Sequence, residues 1–193
     1  MSYPYLYSLQ HCPYAMRARL GLLLAQQKVA VRAVNLKNKP PEMLVSSPKG
    51  TVPILVHVEE HDGNTVETVL DESLTIMLWG LKNHDPQDLL YADSPGALEK
   101  IMGLIERNDQ EFIGLLEKYK AASRYHDFSR LYYRGQCEIF IGELESSLQN
   151  QDFFMGTTAS LADYALLPFI RQFARVDRKW YLQTPYPRLR DWL

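Results

Sequence analysis

The chain has 193 residues, 46% apolar and 23% charged, enough for a buried core and for two modest domains or one large one. With 21 basic and 23 acidic residues it carries a formal net charge of −2, so no basic excess points to nucleic acid and no polybasic run to an anionic membrane surface. Apolar runs such as LGLLLA (20–25) are too short to span a bilayer, and the opening MSYPYLYSL lacks the charged start of a signal peptide. Two widely spaced cysteines, Cys12 and Cys137, make no disulfide framework, so a reducing, cytoplasmic setting is expected.

In chain order, YPYLYSL (3–9) reads as a short aromatic strand. Residues 13–27 place apolar side chains at 16, 20, 23 and 24, a helical spacing. VAVRAVNL (29–36) alternates with period two and is rich in valine, which predicts a strand. PPEMLVSS (40–47) is a short helical or irregular crossover. TVPILVHV (51–58) and NTVETVL (64–70) are strands, joined by a hairpin turn at Asp62-Gly63. DESLTIMLWGLKNH (71–84) is a helix, acidic at its start and with Lys82 and His84 at its end, an order that suits the helix dipole. The predicted order β-α-β-α-β-β-α makes a small mixed sheet with helices packed on it, an α/β unit over residues 1–84.

NHDPQDLLYADSPGA (83–97) breaks the pattern with two prolines and a glycine, and 85–96 is read as a linker. Over 97–193 strand signals vanish. Helices are expected at 97–120, 127–149 and 157–176, the last capped by Ser160 with Asp163 three residues on, and a further helical turn at 187–193. The second domain is therefore all-helical.

Cys12 draws the chemistry. Pro13 suits the first position of a helix because its missing N–H is not needed there. Cys12 is then the N-cap, with its sulfur expected near the N–H groups of Tyr14 and Ala15, where the positive end of the helix stabilises a thiolate. Arg17 and Arg19 add positive charge nearby or simply face water. A buried, inert cysteine is the plain alternative. Three residues after Cys12 stands Ala15, not a second cysteine, so an internal disulfide cycle is not expected. A one-thiol cycle needs an outside thiol, and glutathione is the abundant cytoplasmic one.

CPYA (12–15), NLKNKP (35–40), GTVPIL (50–55) and DES (71–73) occur in the order seen in cysteine-type glutathione transferases, and the chain resembles the omega class most closely. The resemblance implies a thioredoxin-like N-terminal domain, an all-helical C-terminal domain and a homodimer. It implies that Cys12 is the catalytic residue and that Pro13 and Tyr14 lie against glutathione. By the same resemblance Lys39 meets the glycine carboxylate, as a flexible ammonium can, and Val52 pairs with the cysteinyl backbone ahead of a cis Pro53. Glu72 takes the γ-glutamyl ammonium and Ser73 its carboxylate. The implied activity is thiol transfer, the reduction of mixed disulfides or glutathionyl adducts, with dehydroascorbate as a further candidate substrate.

Outside these motifs, KYKAASRYHDFSRLYY (118–133) is aromatic. Tyr119, Tyr125 and Trp180 are candidates to line a pocket for an apolar substrate, although such residues at helical spacing are more often core. His11 beside Cys12 could, if protonated, help hold a thiolate, although an exposed loop histidine is the commoner reading. The remaining histidines, His57, His61, His84 and His126, have no metal-ligand spacing, so no metal site is expected. Two other classes fit the outline: a regulatory protein that keeps the glutathione fold and acts through a partner, and a protein similar to the intracellular chloride channel proteins, which share the cysteine-proline motif. Intact Cys12, Lys39, Glu72 and Ser73 argue for the enzyme over the first. The want of an apolar or amphipathic segment argues against the second.

Overall fold

The computed structural model describes residues 3–61 and 64–193, so the expected Asp62-Gly63 turn lies outside the described residues. The chain divides into two compact units, Met1–Gln87 and Asp88–Leu193. The first runs β1 (Tyr5–Ser8), α1 (Pro13–Leu24), β2 (Ala30–Ala33), α2 (Pro41–Ser46), β3 (Ile54–His61), β4 (Asn64–Leu70) and α3 (Ser73–Asn83). The sheet order is β2-β1-β3-β4; β1 pairs parallel with β2 and antiparallel with β3, and β3 pairs antiparallel with β4. This is the βαβαββα arrangement that the alternation of apolar runs and turn residues predicts.

Strand direction positions the functional region. β1 and β4 both run opposite to β3 and therefore parallel to each other. The helices that follow them, α1 and α3, consequently begin at the same end of the sheet. Alternate residues divide the core by the pleat. Tyr7, Ile54 and Val56 face one side with Ala15 and Met43, while Leu6 and Leu55 face the other with Ala18, Leu22 and Ile76.

The buried face of α1 differs from the expected one. Leu23 is 73% exposed, and the helix instead buries Ala15, Arg17, Ala18, Gly21 and Leu22. Leucine spacing pointed to the wrong stripe because α1 packs through its small residues. At Gly21 the backbone lies so close to α3 that a Cβ would stand 2.6 Å from the Cα of Met77, and at Gly80 a Cβ would come within 3.2 Å of the Ala25 Cβ. β2 also departs from expectation: it is an exposed edge strand of four residues, and burial returns only at Val34 beyond it.

The second unit is mostly helical, with α4 (Ala97–Arg107), α5 (Ile113–Arg124), α6 (Arg130–Ser147), α7 (Leu161–Val176), α8 (Arg178–Tyr181) and α9 (Pro187–Trp192), and a single antiparallel bridge, Phe153 with Gly156, in the α6–α7 connection. A π-helical turn, Asn108–Phe112, joins α4 to α5, so the single helix expected over 97–120 carries one widened turn and extends to Arg124. α7 supplies much of the core through Leu161, Ala162, Ala165, Leu166, Phe169, Ile170 and Phe173, all fully buried. Its start holds the expected capping box. The Asp163 carboxylate accepts from the Ser160 N–H at 2.8 Å, the Ser160 hydroxyl at 2.7 Å, the Phe154 N–H at 3.1 Å and the Trp192 indole N–H at 2.9 Å. One carboxylate thus ties the α6–α7 connection and α9 to the start of α7. Among the described residues no helix is long and apolar enough to cross a membrane.

The Gly21 contact is testable. Gly21→Ala must push the α3 backbone away, and overpacking of this kind costs about 1–3 kcal/mol. The expected result is a lower urea midpoint with an unchanged slope.

Candidate functional site

A cavity of about 560 Å³ opens in the first unit at the end of the sheet where α1 and α3 begin. Cys12, Tyr14, Lys39, Val52, Pro53, Glu72 and Ser73 all line it, together with Leu36, Gly50, Thr51 and Asp71. Pro13 alone of the sequence-predicted binding residues is absent from the lining; it is buried as the first residue of α1.

Cys12 is the N-cap of α1, in extended conformation (φ −76°, ψ 122°) and half-buried. Its side chain makes no capping hydrogen bond to the helix. The Sγ instead lies 3.9 Å from the carbonyl oxygen of Val52, to which the thiol donates. Val52 precedes the cis peptide of Pro53. The thiol is therefore held across the cavity wall and is not sealed in the core.

Of the two arginines of α1 one is buried and the other half-buried. Arg17 is fully buried, its guanidinium carbon 5.9 Å from the centre of the Tyr14 ring. Arg19 clamps the loop between β1 and Cys12. It donates to Ser8 Oγ, to the Leu9 carbonyl at 3.1 Å and to the Gln10 carbonyl at 3.0 Å. Burial lowers the Arg19 pKa, and attraction to Cys12 acts in the opposite sense. His11 is exposed beside it.

The far side of the cavity carries charge of both signs. Gly50 has φ +60°, a conformation that glycine adopts without penalty, and a Cβ there would lie 3.1 Å from Lys39 Nζ. The missing side chain leaves room for the Lys39 ammonium at the cavity edge. Glu72 is the N-cap of α3, yet its carboxylate does not cap the helix. It accepts from Lys49 Nζ at 2.7 Å, and the same ammonium reaches Asp71 at 3.1 Å. The Ser47 hydroxyl donates to the other oxygen of Asp71 at 2.8 Å. That hydroxyl and Lys49 hold the Asp71 carboxyl below its ordinary pKa, and Glu72 and Asp71 raise that of Lys49. Ser73, the first residue of α3, is buried. Asp71 reads in the sequence as dipole compensation, whereas Glu72 is marked by the family resemblance as well. Lys49, lying between two motifs, gave no signal of its own.

The three aromatic candidates of the second unit are not equivalent. Tyr119 is fully buried, its ring 5.8 Å from Phe173; Trp180 packs on the same phenylalanine at 5.9 Å and under the Arg134 guanidinium at 4.1 Å. Tyr125 is 76% exposed. Tyr119 is thus a core residue with no surface to offer a ligand. Cys137 is also fully buried, and burial pushes its thiol up to about 12. Among the described residues no group of three His, Cys, Asp or Glu side chains converges as metal ligands would.

A thioredoxin-like α/β unit with a cysteine heading its first helix, followed by a helical unit, defines a broad class. Residues 6–88 match the glutathione S-transferase N-terminal domain and residues 133–193 its C-terminal domain. The chain is 31% identical to pyrimidodiazepine synthase of Drosophila melanogaster, over 97% of this chain and 74% of that protein. It is 26% identical to glutathione S-transferase omega-1 of Mus musculus, over 97% and 73%. A crystal structure of a glutathione transferase family member from Pseudomonas fluorescens, with two glutathione molecules bound, superposes with a TM-score of 0.81 at 18% identity, covering 97% of this chain and 85% of that one. The chain belongs to the glutathione S-transferase family.

The two cysteines should separate cleanly in reactivity. The thiolate is the reacting form, and a thiol with a pKa of about 12 is almost wholly protonated at pH 8. Iodoacetamide at that pH is expected to add one carbamidomethyl group, on Cys12, by peptide mass mapping. Cys137 should label only after denaturation; its labelling in the native protein would contradict the assigned burial.

Proposed function

We propose that the protein is a glutathione-dependent thiol transferase of omega-like type, in which Cys12 is the only catalytic thiol. The observation that carries this reading is Cys12 itself, standing at a helix N-terminus in the wall of a cavity that also bears an ammonium, two carboxylates and a second helix start. A tripeptide with a free carboxylate at one end and an amino-acid zwitterion at the other matches those groups. In the proposed pose the glycine carboxylate meets Lys39 and the cysteinyl backbone pairs with Val52 as an added strand. The γ-glutamyl carboxylate takes the N–H groups at the start of α3 with Ser73, and the γ-glutamyl ammonium takes Glu72. Tyr14 and Pro53 complete the walls.

The cycle has two exchanges. The Cys12 thiolate attacks the glutathionyl sulfur of a mixed disulfide; the new bond is Cys12–S–S–glutathione, and the substrate leaves as a thiolate that takes a proton from solvent. A second glutathione then attacks, as its thiolate, the glutathionyl sulfur of the adduct. The enzyme disulfide breaks, Cys12 returns as thiolate and oxidised glutathione departs. In sum, one mixed disulfide is reduced and one glutathione is oxidised with it. The helix N-terminus favours Cys12 as leaving group in the second exchange because it stabilises the emerging negative charge. A cytoplasm rich in reduced glutathione suits such a cycle. Dehydroascorbate is a second proposed oxidant. A homodimer belongs to the same proposal.

Incubation with oxidised glutathione should add one glutathionyl group to Cys12 by mass spectrometry. Cys12→Ser should then lower mixed-disulfide reduction by about a hundredfold or more while leaving the fold intact. An unmodified Cys12, with turnover unaffected by the substitution, would point instead to a binding or regulatory protein acting through a partner.

A further inference from the structure

Glu72, to which the proposed function assigns the ligand's ammonium, is already paired with an ammonium of the chain itself, that of Lys49, which reaches it from outside the cavity lining. Lys49 Nζ lies 2.7 Å from Glu72 Oε1 and 3.1 Å from Asp71 Oδ1. Both carboxylates line the cavity, and Ser73 and the start of α3 adjoin them. The geometry shows directly that this corner accepts an ammonium beside a helix N-terminus, the pair of features that an α-amino acid terminus requires.

We infer that Lys49 is a built-in competitor for the ammonium subsite and thereby sets how strongly the site selects ligands with a free α-amino group. Binding such a ligand requires its ammonium to displace Lys49 from Glu72, or to share the carboxylate pair with it. The displacement is feasible because the pair is exposed, with side-chain accessibilities of 51% for Lys49 and 67% for Glu72, and exposed ion pairs are weak. Asp71 lies farther from Lys49 than Glu72 does, 3.1 against 2.7 Å, but Ser47 fixes its second oxygen, so Lys49 keeps a positioned carboxylate when Glu72 is taken. A ligand that lacks the amino group meets no such competition. Its carboxylate instead benefits from the nearby Lys49 charge. Lys49 therefore narrows the difference between aminated and des-amino ligands. This inference rests on the glutathione reading above.

The test is isothermal titration of the wild type, Lys49→Met and Lys49→Arg with two probes: glutathione, and the analogue in which the γ-glutamyl residue is replaced by glutaryl and so lacks the α-amino group. The measured quantity is the ratio of the analogue's Kd to that of glutathione. The expected result is a ratio about two- to fivefold larger in Lys49→Met than in the wild type, the range an exposed ion pair supplies, with Lys49→Arg close to the wild type. A ratio that is unchanged or smaller in Lys49→Met, or that moves equally in Lys49→Arg, overturns the inference and leaves the glutathione reading standing. A wild type that binds neither probe overturns the glutathione reading, and the inference with it.

Discussion

The close approach of α1 and α3 is the constraint on which the site depends. Each helix brings one half of the cavity: α1 begins at Cys12, and α3 begins at Glu72 and Ser73. Strand polarity puts both starts at one end of the sheet, but polarity does not set their spacing. Spacing comes from Gly21 against Met77, where the glycine lets one backbone lie directly on the other helix, and from Gly80 against Ala25. Interiors packed at crystal-like density transmit such a contact rigidly. A change there would therefore move Cys12 relative to Glu72 without touching either.

Electrostatics then distinguishes the two ends of the cavity. Near Cys12 the positive elements are the start of α1 and Arg19, whose guanidinium is spent on Ser8, Leu9 and Gln10. It acts as a clamp on the loop that delivers the sulfur, so the thiol is placed by two devices, the clamp behind it and the Val52 carbonyl before it. At the other end cations and carboxylates alternate: Lys39 over Gly50, then Lys49 bridging Asp71 and Glu72. A cavity with one sign of charge would select by net charge alone. Alternating signs select by the order of charges along the ligand, which suits a peptide with a carboxylate at one end and a zwitterion at the other.

Much of this was legible in the sequence where local chemistry is decisive. Pro13 marks the start of α1 and makes Cys12 its cap, and Ser160 with Asp163 marks the start of α7, because caps are set by residues within a few positions of each other. The order of strands and helices followed from turn residues and periodicity. What escaped was fixed by contacts distant in sequence. Met16 and the leucines of α1 suggested a face at 16, 20, 23 and 24, whereas the buried positions include the small residues Ala15, Ala18 and Gly21 with Arg17 and Leu22, and Leu23 is exposed. Arg17 read either as a charge near Cys12 or as a surface residue, and its burial escaped both readings. Tyr119 was a pocket candidate with core as the commoner reading, and it is core; an aromatic stripe on a helix does not by itself say which side faces the other helices. Lys49 carried no pattern because its meaning arises only when the loop at 47–50 folds against the start of α3, 22 and 23 residues away.

The cysteine inventory limits how the proposed chemistry turns over. Where an internal disulfide cycle would need a resolving thiol, one turn into α1, stands Ala15, fully buried against the sheet. Any larger residue there would have to displace Tyr7 or its neighbours, so the position is closed by packing as well as by sequence. Cys137 is sealed in the core of the second unit, with its proton held tightly by burial. An adduct on Cys12 therefore has no thiol within the described chain to release it, and its removal falls to a thiol from solution. Under the proposed function this makes the cavity serve two molecules in succession with different needs. The first is held by its charged ends while its sulfur is attached to Cys12. The second must bring a thiolate to that same sulfur while the ends of the first are still bound. A site that gripped the first too firmly would slow the exchange of oxidised glutathione for the next substrate. A weak, exposed pair such as Lys49 with Glu72 keeps that grip adjustable, and so release is favoured by the same contact that moderates binding.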